Sequence, residues 1–85
     1  MSHYVYILQS QKDNKYYIGE TSDVEKRLLF HNSGRQRSTK YRIPFKLILA
    51  EEFPNRTEAL IREKQIKCWK GGNSFWLLIS SGSPA

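Results

Sequence analysis

With 85 residues, 39% of them hydrophobic, the chain can build one modest core and no second domain, since a domain this size buries only about 60–65% of its unfolded surface. Fourteen Lys and Arg against eight Asp and Glu leave a formal charge of +6, the footprint of a domain that attracts polyanions. One cysteine, Cys68, excludes an internal disulfide and a multi-cysteine zinc site. No stretch approaches the ~20 apolar residues of a membrane span, and the start MSHYVYILQS has no basic leader ahead of an apolar run, so the expectation is a soluble cytoplasmic protein.

Tyr4 to Gln9 (YVYILQ) is aromatic and β-branched and reads as a strand. Gln11 to Asn14 is turn material, and Lys15 to Gly19 (KYYIG) reads as the returning strand of a hairpin. A two-residue period puts Tyr4, Tyr6 and Leu8 on one face of the first strand and Tyr17 and Gly19 on one face of the second. Tyr6 and Tyr17 can then share a face. Ser22-Asp23-Val24-Glu25 has capping-box spacing with Ser22 as the cap, and the helix it opens runs to about Asn32, stopped near Gly34. Val24 and Leu28 define its inward stripe, and Arg27 and His31 lie along one flank, neither fully buried nor fully solvated.

From Asn32 to Ala50 there is no acid, while Arg35, Arg37, Lys40, Arg42 and Lys46 fall in that stretch with Tyr41 among them. Basic residues interleaved with an aromatic suit phosphate contact plus stacking. The first part reads as an extended loop ended by Pro44, and Phe45 to Phe53 (FKLILAEEF) as a third strand. Asn55 and Glu58 have capping-box spacing for a second helix that continues through Ala59, Leu60, Ile66 and Trp69. Gly71-Gly72 breaks it, and Ser74 to Ile79 (SFWLLI) reads as a short third helix. The order β-β-α-β-α-α predicts an α+β domain over residues 1–80, a three-stranded antiparallel sheet flanked by helices, with 81–85 a frayed tail.

The second helix carries a carboxylate in an unexpected place. With Ala59 at zero, Ile66 falls near −20°, Leu60 near +100° and Glu63 near +40°, on the apolar stripe between them. A charge buried there must be paired or bound, because a bare one costs several kcal/mol. Two readings stay open. One is an ion pair with Arg62, Lys67 or a basic residue elsewhere, or a side chain that snorkels to water. The other is a ligand for Mg²⁺ or Mn²⁺, hard cations that take carboxylate oxygens.

Tyr4-Val5-Tyr6 followed by Tyr17-Ile18-Gly19 resembles the paired signature of the GIY-YIG nuclease superfamily, in the degenerate form of its small stand-alone bacterial members. Arg27, ten residues after Tyr17, stands where that family carries its helix arginine, His31 follows one turn later, and Glu63 within EALIREKQIK matches the segment of the metal-binding glutamate. The resemblance covers roughly residues 4–70. It implies that Glu63 is the sole protein ligand of one divalent metal, that Tyr6 acts as, or helps orient, the base that activates the attacking water, and that Tyr17 supports that water or the phosphate. Arg27 would neutralise the scissile phosphate, and His31 would orient a tyrosine or assist proton transfer. Because a phenol's reference pKa is ~10, Arg27, the metal or a nearby cation must favour the Tyr6 phenolate.

Two positions depart from the family pattern. Glu20 stands three after Tyr17, where the family's repair nucleases often carry a lysine, which would put a negative charge near the phosphate path. Phe75 stands where an asparagine often follows the glutamate, with Asn73 only nearby. Three functions follow from these residues. The first is a metal-dependent DNA endonuclease, structure-selective or weakly selective, serving repair or processing. The second is a nucleic-acid-binding module of the same fold that cleaves weakly or not at all. The third is a basic interaction domain. The partner is DNA, with RNA left open, and Arg35, Arg37, Lys40, Tyr41, Arg42 and Lys46 are the candidate contacts. With no separate DNA-binding domain, target choice falls to that loop, to substrate shape or to a protein partner, and the expected state is a monomer or weak homodimer.

Overall fold

The computed structural model describes residues 2–37 and 40–81. Three strands, β1 (His3–Ser10), β2 (Tyr16–Thr21) and β3 (Phe45–Phe53), form one antiparallel sheet in the order β2-β1-β3. Helix α1 (Val24–Asn32) lies between β2 and β3 in sequence, and α2 (Arg56–Trp69) and α3 (Asn73–Ser81) follow. This is the expected β-β-α-β-α-α architecture. Residues 82–85 of the expected tail lie outside the described residues.

The central strand explains the layering. Val5, Tyr6, Ile7 and Leu8 are all buried, so β1 is covered on both faces, as its unbroken apolar run requires. Val5 and Ile7 join Ile18, Leu49, Ala59, Ile66 and Phe75 in a core beneath α2 and α3. Tyr6 and Leu8 join Phe45 in a second core, closed by Tyr17, Val24, Leu28, Ile43 and Leu47 on the α1 side. In β3 the register jumps between Ile7, opposite Leu49, and Leu8, opposite Leu47. Ile48 is therefore an extra residue, and this β-bulge lets Phe45 and Leu47 serve one core and Leu49 the other.

Local chemistry sets the element ends. The hairpin closes over Gln11–Lys15, with Asn14 in the left-handed region at φ 61°, where a short side chain is tolerated. Asp23, not Ser22, caps α1: its carboxylate accepts from the Lys26 backbone N–H at 3.1 Å, while Thr21 Oγ1 accepts from Asp23 N. The carboxylate is the better partner for the positive end of the helix, and it moves the cap by one residue. Asn55 caps α2 as expected, accepting from Glu58 N at 3.0 Å. The loop after α1 holds a single 3₁₀ turn at Lys40–Arg42 rather than being extended throughout. Asn32 fastens the start of β3 to α1, donating from Nδ2 to Phe45 O (3.1 Å) and accepting from Phe45 N (2.6 Å).

Candidate active site

Tyr6 and Tyr17 come from adjacent strands, and the register that pairs Tyr6 with Gly19 and Leu8 with Tyr17 puts both phenols on the α1 side. Their rings stack with centroids 6.3 Å apart. Tyr6 lies across Gly19: a Cβ there would stand 2.5 Å from Tyr6 Oη and 2.7 Å from Cζ. The glycine of the second triplet is thus a steric requirement of the first triplet's tyrosine, a use of strand glycine that close approach of a neighbour explains.

Helix α1 brings the nitrogen groups. His31 Nε2 is 3.1 Å from Tyr6 Oη, and Arg27 Nε donates to the same oxygen at 3.4 Å. The histidine ring also packs edge-on against Tyr17 at 4.7 Å and against Phe45 at 5.8 Å. His31 is fully buried, at 0% exposure, which corrects the expectation of a half-exposed flank. Seven residues after Val24 it returns to within ~20° of it, so Val24, Leu28 and His31 form the inward stripe. Arg27 is the true flank residue, half-buried with its guanidinium over Phe30 at 5.1 Å.

Burial and the Arg27 charge hold His31 at a pKa of about 4, against 6.5 in water, so the imidazole is neutral at physiological pH. Tyr6 is pushed above 10, chiefly by burial. The Arg27 hydrogen bond pulls the other way, and the charges of Tyr17 and Glu63 add to the upward push. The Arg27 contact favours the phenolate, and desolvation outweighs it. Arg27 can only donate, so Tyr6 Oη accepts from it, and the phenolic O–H is left to donate to His31 Nε2 in the Nδ1-protonated tautomer.

Glu63 is near enough for its charge to act on Tyr6, though it sits on α2. Its side chain is 15% exposed and pairs with Lys67, Nζ to Oε2 at 2.9 Å. Arg62, the other partner considered, instead grips Glu51 through both Nε (2.8 Å) and Nη2 (3.2 Å). Leu60 is 38% exposed, so the buried stripe of α2 is narrower than predicted and Glu63 stands at its margin. Among the described residues no group of three or more His, Cys, Asp and Glu could hold a metal ion. One carboxylate does suit Mg²⁺, which retains waters and phosphate oxygens as its other ligands.

The remaining sequence candidates scatter. Arg35, Arg37, Tyr41 and Lys46 are exposed, and Lys40 lies over the Tyr41 ring at 4.9 Å. Arg42 is committed to the fold: its Nε is 3.3 Å from Asp13 Oδ2, its guanidinium lies over Phe45, and its carbonyl accepts from Ser10 Oγ. Glu20 does not share the face of Tyr6 and Tyr17. Three residues after Tyr17 on a strand it points to the opposite face, held between His3 Nδ1 (3.1 Å) and Arg56 Nε (3.3 Å). Phe75 fills the core at 1% exposure. Sequence reasoning missed Asn32 as a residue that holds the site's walls together, whereas Lys67, one of the partners expected for Glu63, is the one that pairs with it.

Residues 2–75 match the family described as the GIY-YIG catalytic domain. A UPF0213 protein of Staphylococcus saprophyticus is 44% identical over 81 residues, 94% of this chain and 96% of that one. The UPF0213 protein BH0048 of Halalkalibacterium halodurans is 43% identical over 85 residues, 99% of this chain and 89% of its own. The solution NMR structure of BH0048 superposes with a TM-score of 0.61 at 36% identity, covering 99% of this chain and 89% of that one. The two triplets, the helix arginine and the sheet order all agree with that match: the chain belongs to the GIY-YIG family, a superfamily of nuclease-type catalytic domains.

Proposed function

We propose that the chain is an endonuclease that hydrolyses phosphodiester bonds in DNA, with Mg²⁺ or Mn²⁺ held at Glu63. The observation that carries this reading is the Tyr6 hydroxyl, set between Arg27 and His31 with Tyr17 stacked beside it. Hydrolysis needs a base for water and positive charge for the developing phosphorane. A buried phenol is a weak base alone; His31, held neutral by burial and the Arg27 charge, accepts from the phenolic O–H and orients the Tyr6 oxygen toward the water. Arg27 opposes the charge on Tyr6 and on the scissile phosphate, and Tyr17 helps orient the water. A divalent ion at Glu63 would supply Lewis-acid stabilisation of the leaving oxygen. Arg35, Arg37, Lys40, Tyr41 and Lys46 would contact the backbone, with Arg42 contributing charge from its fixed place. The reading extends to a structure-selective enzyme of repair or processing in the cytoplasm, a monomer or weak homodimer, with target choice set by the loop or by a protein partner.

Titrating Mn²⁺ and Mg²⁺ against nicked, forked, flapped and single-stranded DNA tests it. Metal-dependent nicking that disappears in Glu63→Ala is the expected result; nicking that survives this change sinks it. A second reading, a module that binds nucleic acid but cleaves poorly, is favoured by the Lys67 ammonium on the Glu63 carboxylate. Salt-sensitive binding without cleavage would select it, because phosphate contacts release counterions.

A further inference from the structure

At the hairpin end of the sheet, on the face away from Tyr6, a hollow of about 320 Å³ is lined by Lys15, Tyr16, Arg42, Lys70, Phe75 and Trp76, with Asn14 and Gly71 at its rim. Trp76 is 49% exposed, yet its ring is braced by Tyr16 at 5.7 Å (interplanar 78°) and by Phe75 at 5.9 Å (74°). Tyr16 in turn meets Phe75 at 5.2 Å. Half of a large rigid indole is thus presented to solvent in a fixed pose, so stacking on it costs little side-chain entropy.

Cations surround that ring. Lys70 donates from Nζ to Tyr16 O at 2.7 Å. Its pKa is pulled below 10.5 first by burial and then by the charges of Arg42, Lys67 and Lys15. Mutual repulsion among these four is relieved in part by Asp13, which pairs with Arg42, and by Glu63, which pairs with Lys67. An incoming anion would relieve it further. A second copy of this +6 chain would bring the same cations and meet repulsion instead.

The hollow is joined to the candidate active site by α2. Glu63, Lys67 and Lys70 are spaced i, i+4, i+7, which places them within about 60° on one helix face. From Glu63 to Lys70 the axial rise is ~10.5 Å, about three base steps of one strand at ~3.4 Å each. We propose that the Trp76 hollow holds an unpaired nucleotide of the substrate strand a few residues from the scissile bond, its base stacked on Trp76 and its phosphate on Lys70 and Lys15. This rests on the nuclease reading for the identity of the occupant. It makes the enzyme prefer a substrate with a single-stranded segment on one side of the cut.

The test is binding by the full chain, without divalent metal, of a thymidylate single strand about twelve nucleotides long, within the range of sites on single-strand binders, and of a blunt duplex of equal length. Trp76→Ala and Lys70→Gln are each expected to weaken single-strand binding about tenfold, ~1.4 kcal/mol, while duplex binding moves less than about twofold and Trp76→Phe restores most of the loss. Single-strand affinities of both variants within about twofold of wild type would overturn the proposal. So would no binding by wild type, or self-association of wild type that Trp76→Ala abolishes. Nicking that depends on Glu63 but ignores Trp76 removes this inference alone; Trp76-dependent binding without nicking removes the nuclease reading and leaves the nucleotide site standing.

Discussion

Acidification should unlock the buried histidine before it harms the rest of the fold. His31 has a pKa of about 4 in the folded chain and 6.5 when solvated, so the unfolded chain binds the proton more readily. Its contribution to stability is fully present above pH 6.5 and is lost as pH falls toward 4. A drop from 6.5 to about 4, at ~1.36 kcal/mol per pH unit, caps the loss at roughly 3 kcal/mol. Integrated, about 2 kcal/mol is gone by pH 5 and about 3 by pH 4, a large share of the 5–15 kcal/mol that holds a typical domain together. Urea midpoints measured from pH 7 to pH 4 should show this slope, and His31→Gln, which can still hydrogen-bond Tyr6 but does not titrate, should flatten it. Wild type offers an independent reading, since the His31 ring protons followed by NMR should not shift above pH 5. A His31 titration centred near 6.5, or identical slopes for the two proteins, would refute the reasoning.

Three further outcomes are expected. Gly19→Ala forces a methyl against Tyr6 Oη and Cζ. It should cost about 1–3 kcal/mol, a fall of roughly 4–20 °C in thermal midpoint, and should cut nicking because it displaces the Tyr6 hydroxyl. Asn32→Ala leaves both backbone groups of Phe45 without their partner, a loss of about 1–3 kcal/mol, and hydrogen exchange should quicken at the start of β3 before it does in β1. Lys67→Gln frees the Glu63 oxygen. Because an i, i+4 surface pair is worth only ~0.3–0.5 kcal/mol, the Mn²⁺ concentration for half-maximal nicking should fall about twofold.

Local rules made much of the fold legible. Residues 45–53 read as a strand with the bounds the structure shows, and Asn55 was visible as a cap because capping depends on neighbours three residues apart. The common face of Tyr6 and Tyr17 followed from strand parity. The same parity, carried one step further, places Glu20 behind the sheet, and the helical angle that aligned Val24 with Leu28 buries His31 as well. Both positions are encoded locally, by strand parity and helical angle alone. Arg42 is different: its tie to Asp13 spans the hairpin and the loop after α1, and no window of sequence contains such a partner. The pull of Glu63 on Tyr6 likewise depends on how α2 packs against the sheet, which periodicity does not set.

The additional residue at Ile48 has a genetic consequence. Deleting its codon would keep β3 apolar and long enough to pair, and would leave composition almost unchanged. Leu47 opposite Leu8 and Leu49 opposite Ile7 would then follow each other directly, so alternation becomes regular, each keeps its face, and what is lost is the packing of Ile48 on the α2 core. Loss of one residue at position 48 should therefore be tolerated, as should length variation in the hairpin and in the loop before Pro44.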